Sequence, residues 1–176
     1  MNITVYLGAS LGNDPTFAQK IKELGTWIGA AGHRLIYGGS RVGLMGLLAQ
    51  STLDAGGEVV GVEPQMFVDA EAQHEGITEL IVTPDMPSRK QKMIELGDAF
   101  IAFPGGTGTL EEISEIISLT SLDLVDAPCI LYNLDGYYDG LAKLFQVMID
   151  KDLSNTKRQR WVYFAKDLEE IKGILE

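Results

Sequence analysis

Two pairs of neighbouring charged residues carry the chemistry this sequence offers: Arg89-Lys90 and Glu111-Glu112. The acidic pair closes the stretch Phe100–Glu115, FIAFPGGTGTLEEISE. An apolar run through Phe103 predicts a strand buried on both faces. It ends at Pro104, and Gly105, Gly106, Thr107 and Gly108 follow with little side-chain bulk. Thr109-Leu110-Glu111-Glu112 fits the S/T-x-x-E capping box, which predicts a helix starting at Thr109. Leu110, Ile113, Ile116 and Ile117 give that helix a core-facing stripe. A strand, a glycine loop and a helix N-terminus together form an anion site, where backbone N–H groups and the helix dipole receive negative charge. Phosphate is the natural guest, and Gly105 to Thr109 are its expected ligands.

Glu112 has two readings. As the last residue of the capping box, it reaches back to the Thr109 N–H and only stabilises the helix start. As a carboxylate one turn from a phosphate cradle, it is placed for chemistry on the sugar of a nucleotide. Glu111 is its close competitor, and the local sequence leaves the choice open. The basic pair lies in Asp85–Met93, where Ser88 and Gln91 suggest a second capping box with Arg89 and Lys90 in the first helical turn. Cations there oppose the helix dipole. A solvated charge run is the ordinary explanation, but this one immediately precedes the strand that delivers the glycine loop. A local rule broken beside a suspected site favours a ligand role for Arg89, with Lys90 beside it.

The elements that must position these groups alternate along the chain. Ile3–Leu7 reads as a strand turning at Gly8-Ala9-Ser10, and Asp14-Pro15 supplies an N-cap and a proline at the first helical position. Phe17, Ile21, Leu24 and Ile28 recur at helical spacing, and Gly32 stops the helix. Arg34–Tyr37 is a second strand, followed by the glycine segment Gly38-Gly39-Ser40-Arg41-Val42-Gly43-Leu44-Met45-Gly46, a helix over Leu47–Ala55 and a strand over Glu58–Val62. Residues 63–78 read as irregular. Leu80–Val82, Cys129–Tyr132 and Trp161–Phe164 are further strands, with helices over Tyr137–Lys151 and Leu168–Leu175. This alternation predicts one α/β domain over residues 1–176, a mainly parallel sheet with helices on both faces. Ligands of such sheets bind beyond the strands' C-terminal ends, at the switch point. Three small-residue turns fall at such ends, so Ser10, Gly38, Gly39, Gly43, Met45 and Gly46 join the candidate nucleotide contacts.

Composition narrows the function classes. The chain has 176 residues, 45% of them hydrophobic, which is enough for a sizeable core. Its formal net charge of −11 argues against a nucleic-acid partner. The absence of a long apolar run or a signal-peptide pattern argues against a membrane. A single cysteine, Cys129, fits a reducing, cytoplasmic setting. Neither glycine loop continues into G-K-[ST], and Gly38–Gly46 is not G-x-G-x-x-G. His33 and His74 are isolated, so no zinc set is expected. There is no G-x-S-x-G elbow, and no cofactor is called for.

The ordered motifs resemble the LOG (Lonely Guy) family, the cytokinin riboside 5'-monophosphate phosphoribohydrolases once labelled lysine decarboxylases. Pro104-Gly105-Gly106-Thr107-Gly108-Thr109-Leu110-Glu111-Glu112 fits that family's PGGxGTxxE signature, and Met86-x-x-Arg89-Lys90-x-x-Met93 its second motif. Gly38-Gly39 through Met45-Gly46 and Asn133-x-x-Gly136-Tyr137-Tyr138 resemble two further shared segments. The resemblance covers roughly residues 1–150. It implies a Rossmann-like fold, a homodimer, and hydrolysis of the N-glycosidic bond of a nucleoside 5'-monophosphate. It further implies Arg89 and Glu112 as the catalytic pair and the loop from Gly105 as the phosphate site. Two positions depart from the family, Pro87 where histidine is frequent and Thr107 where an aromatic residue is frequent, and both bear on nucleobase preference. Decarboxylation fits poorly, because pyridoxal chemistry needs a Schiff-base lysine and a partner for the ring nitrogen. The competing reading is a non-catalytic nucleotide-binding or sensor protein related to molybdenum-cofactor carriers. It would keep the loops without needing a poised carboxylate.

Overall fold

A computed structural model describes residues 1–68 and 73–176. Among the described residues seven strands form one parallel sheet: β1 (Asn2–Tyr6), β2 (Arg34–Tyr37), β3 (Glu58–Pro64), β4 (Glu79–Thr83), β5 (Ala99–Ala102), β6 (Cys129–Tyr132) and β7 (Val162–Ala165). Their order is β4-β3-β2-β1-β5-β6-β7. The chain runs outward from β1 to β4, then returns to place β5 on the other side of β1. The switch point therefore lies between β1 and β5, and the turns after β2, β1 and β5 sit side by side.

The helices are α1 (Pro15–Ala30), α2 (Gly43–Asp54), the short α3 (Gln65–Val68), α4 (Met86–Leu96), α5 (Thr107–Ser121), α6 (Asp139–Asp150) and α7 (Leu168–Leu175). Strand alternation divides the core into two layers. Ile3, Val5, Leu35, Tyr37, Ile101 and Phe103 pack against Ile21, Leu24, Ile28 of α1, Leu44, Leu48 of α2 and Ile171 of α7. Tyr6, Ile36, Val60, Val62, Phe100 and Ala102 pack against Met93 of α4, Ile113, Ile116 of α5 and Tyr138. Both faces of the central strands are covered, which is why those strands read as unbroken apolar runs.

Asp14 caps α1 with Pro15 in the first turn, as the sequence predicts, and Gly32 follows the helix at φ +71°. Three expectations need correction. β3 runs on through Glu63 and Pro64, which pair with Val82 and Thr83. Proline is tolerated there because the strand ends at it. The irregular segment expected over residues 63–78 is thus in part strand and in part α3, and residues 69–72 lie outside the described residues. α2 begins at Gly43, not Leu47: the later glycines of the segment belong to the helix, where the Ala9 carbonyl fills the space a side chain on Gly43 would need. Ahead of α6, residues Leu134–Gly136 form a single 3₁₀ turn, so that helix starts at Asp139 instead of Tyr137.

Candidate active site

Two helix N-termini open at the C-terminal ends of the central strands. α1, α4 and α7 are each capped by an aspartate side chain: Asp14, Asp85 and Asp167. α2 and α5 have no side-chain cap at all, their N-cap residues being Val42 and Gly106. α6 also starts without one. The first-turn N–H groups of α2 and α5 are therefore left for a ligand or solvent. Both helices reach one cavity of about 280 Å³, lined by Gly8, Ser10, Leu44, Gly105 and Gly106 among others. Residues of the turns after β1 and β5 and the first turn of α2 thus line one cavity.

This geometry overturns both capping boxes. α5 starts at Thr107, two residues before the expected place, so Thr109 is buried inside the first turn and Glu112 caps nothing. In α4 the cap is Asp85, whose carboxylate accepts from the Ser88 N–H at 2.8 Å. The T-x-x-E and S-x-x-Q patterns were local matches one register out of place.

Freed from a capping role, Glu112 turns to Arg89. The Arg89 Nη1 donates to Glu112 Oε1 at 3.2 Å, and the two side chains are only 7% and 11% exposed. Arg89 Nε donates to the Val62 carbonyl at 2.9 Å, anchoring the guanidinium on the end of β3. Its Nη2 lies over Gly38, where any side chain would collide with it, and has no partner among the described residues. One edge of a rigid fork is thus spent on the protein, through Nε and Nη1. Burial pushes the Glu112 carboxyl up to about 6, with Arg89 opposing the rise. Met45 packs beneath Gly38.

Lys90 and Glu111 are placed differently. Lys90 Nζ meets Glu111 Oε1 at 2.6 Å and Glu115 Oε2 at 3.1 Å on the outer surface of α4 and α5, where Glu111 is 63% exposed. Gly39, Gly43 and Gly46 serve the turn into α2, and Thr107 and Gly108 are exposed at the start of α5.

Sequence reasoning missed the supports of the glycine loop. Tyr137 Oη donates to the Gly105 carbonyl at 2.6 Å and Tyr138 Oη to the Phe103 carbonyl at 2.8 Å. Asn133 sets both rings, accepting from the Tyr138 N–H at 2.6 Å and donating to Asp139 at 2.8 Å. Tyr137 also lines the cavity and meets Phe17 edge-on. The signal was present in the Asn133-x-x-Gly136-Tyr137-Tyr138 motif, but nothing local tells that its hydroxyls reach back thirty residues or more.

Residues 45–174 match the family model described as possible lysine decarboxylase. Over 170 residues the chain is 44% identical to the cytokinin riboside 5'-monophosphate phosphoribohydrolase of Rhodococcoides fascians, spanning 96% of this chain and 85% of that one. The chain belongs to the LOG family. Its relative in Arabidopsis thaliana, named cytokinin riboside 5'-monophosphate phosphoribohydrolase LOG1, is 35% identical over 174 residues, 99% of this chain and 82% of that protein. The X-ray structure of TM1055 superposes with a TM-score of 0.73 at 27% identity, covering 99% of this chain and 97% of that one. A molybdenum cofactor binding protein from the phototrophic bacterium Rippkaea orientalis superposes equally well, with the same coverage, but at 24% identity, a likeness of fold alone. In this LOG-family chain the signature motif and the Arg89 motif are the two segments that the buried ion pair joins.

Proposed function

We propose that this protein hydrolyses the N-glycosidic bond of a nucleoside 5'-monophosphate, AMP or a cytokinin riboside 5'-monophosphate, to free base and ribose 5-phosphate. The observation that carries the reading is the buried Arg89–Glu112 pair, with an unpartnered Nη2, beside an uncapped helix N-terminus. The 5'-phosphate sits on the N–H groups of Gly105 to Thr109 and the start of α2, with Ser10 beside it. Glu112 lies six residues past the N-cap of α5, roughly 9 Å along the axis, so a bound nucleotide spans from the cradle to the carboxylate. Breaking the bond to C1' builds positive charge on the ribose. The Glu112 carboxylate stabilises that charge and takes a proton from the attacking water. Arg89 holds Glu112 and offers Nη2 to a ribose hydroxyl or the phosphate. The two tyrosines keep the loop carbonyls turned away from the anion. Lys90 and Glu111 brace α4 on α5 and take no part.

The protein acts in the cytoplasm as a homodimer on this reading. Ile113 and Ile116 of the core-facing stripe of α5 are fully buried and offer no surface to a partner. Support for a dimer comes instead from α6, none of whose residues is buried although it carries Leu141, Leu144, Phe145, Val147 and Met148. With Leu110 and Ile117 of α5, Leu141, Leu144, Phe145 and Met148 line a groove of about 420 Å³. Sedimentation at micromolar concentration should give a dimer, and a monomer alone counts against this part.

The deciding experiment incubates the protein with a panel of nucleoside monophosphates and separates the products by chromatography. Free base and ribose 5-phosphate in equal amounts are expected. Tight nucleotide binding with no base released from any member would favour the carrier or sensor reading.

A further inference from the structure

The last residue but one of β3 is a glutamate that this chemistry leaves idle. Glu63 is 1% exposed, and its Oε2 is buried without a hydrogen-bond partner among the described residues. A buried charge is costly unless something compensates it. Tyr37 of β2 lies close enough to feel its charge, with a hydroxyl likewise buried and without a partner among the described residues. Thr83 of β4 turns its hydroxyl to the Glu63 carbonyl at 3.5 Å, and not to the carboxylate. His74 approaches the same turn through its backbone, donating to the Gly39 carbonyl, while its ring accepts from the Gly76 N–H. The cation acting on Glu63 is Arg89.

The Gly38-Gly39 turn explains how they reach each other. A side chain on Gly38 would run into Arg89 Nη2, and one on Gly39 would meet Glu63 Cβ and Oε2 at 3.0 Å. Guanidinium and carboxyl thus flank a two-residue turn that has no side chain to separate them. Gly39 sits at φ +88°, a conformation that disfavours any other residue.

We propose that Glu63 is a positioning residue for Arg89: across the Gly38-Gly39 turn it shares the guanidinium with Glu112, and so sets how firmly Arg89 holds the working carboxylate. The inference rests on the reading of Glu112 given above. Burial raises Glu63 and Arg89 lowers it, the same two opposed influences that act on Glu112. One guanidinium between two buried carboxyls makes a coupled set, in which the protonation of one carboxyl alters the other. Around Glu112 itself stand Glu111, Lys90 and, from β1, Tyr6. With Glu63 neutralised, Arg89 answers to Glu112 alone, and Glu112 becomes a weaker base.

Carbon-13 NMR of glutamate-labelled protein reads this without turnover, the Glu112 carboxyl signal being assigned by its loss in Glu112→Gln. In Glu63→Gln the Glu112 midpoint should fall by about half a pH unit or more, and a stretched titration should sharpen to a single step. Glu63→Met gives the same result and covers the chance that a buried amide does not fold, since a thioether needs no partner. The acid limb of base release should move down with the NMR midpoint, with KM little changed. A residue with only a structural role would alter stability and leave the Glu112 midpoint where it is. An unchanged midpoint in both variants overturns the proposal. A wild type that releases no base overturns the proposed reaction instead, and the NMR comparison still decides the role of Glu63.

Discussion

Arg89 and Lys90 are neighbours on α4, Glu111 and Glu112 are neighbours on α5, and the two ion pairs they form run side by side between the same helices. The Lys90–Glu111 contact is the shorter, 2.6 Å against 3.2 Å. Length is a poor guide to which matters. Lys90 and Glu111 are 20% and 63% exposed, so water and salt screen them. Arg89 and Glu112 are almost wholly buried, where charges interact strongly and an unpartnered one is expensive. The outer pair joins two helices. At the inner pair burial holds a carboxyl above its ordinary range against the pull of Arg89, and such a perturbed group is a candidate for chemistry.

The sharpest way to break this comparison is to neutralise one carboxylate at a time. Glu112→Gln keeps an oxygen to accept from Arg89 Nη1 but cannot stabilise a developing cation. Base release should fall by roughly two to three orders of magnitude. The loss is expected in kcat more than in KM. Glu111→Gln, one residue away, should stay within a few-fold of wild type. If the Glu111 variant is dead and the Glu112 variant active, the carboxylates are wrongly assigned.

Removing the cation separates the pairs by stability. Arg89→Ala leaves Glu112 and Glu63 buried without their shared cation. Above pH 7 this should cost about 3–5 kcal/mol in urea denaturation, the usual scale for a broken buried pair, and turnover should be lost with it. The cost should shrink at pH 5. Because burial in the folded protein raises Glu112 from the ordinary 4.5 of a glutamate to about 6, the carboxyl favours the fold while protonated. That contribution is complete below about 4.5 and is lost as pH rises through about 6. At pH 5 most of Glu112 is neutral and does not need Arg89. A cost equal at both pH values would contradict the burial argument.

The same value sets a pH dependence for catalysis. If the ionised Glu112 works as base and stabiliser, base release should fall about tenfold per unit as pH drops below about 6. That limb should vanish from the residual activity of Glu112→Gln. A flat profile between pH 5 and pH 7 would assign the role to another group.

What the sequence disclosed and what it hid divide along a physical line. Strand and helix identities were legible because apolar periodicity and Asp-Pro or glycine punctuation are local signals. Helix starts beside glycines were misplaced: glycine reads as loop, yet Gly43 and Gly46 are inside α2, where the backbones of Ala9 and Arg41 leave no room for a side chain. Arg89 and Glu112 could be picked out by motif, but their mutual contact spans 23 residues and depends on how α4 and α5 pack. Glu63 was invisible. It opens the stretch 63–78 that reads as irregular, and only the parallel register of β2 and β3 carries it behind Gly39.

The smallest expected effect is the most discriminating control. Lys90→Met removes the cation of the outer pair and leaves Glu111 and Glu115 on the surface of α5. Each carboxylate is at least 40% exposed and regains water when Lys90 is lost. Side-chain entropy recovered by a long lysine offsets part of the lost attraction, so destabilisation should not exceed about 1 kcal/mol. A double-mutant cycle with Glu111→Gln isolates the pair itself, and its coupling should be a few tenths of a kcal/mol, shrinking further in molar salt. Run in parallel, the Arg89–Glu112 cycle should keep most of its coupling in the same salt, because ions do not reach it. Equal salt sensitivity of the two cycles would mean that the inner pair is solvated, and the case for a tuned carboxylate at Glu112 would fall with it.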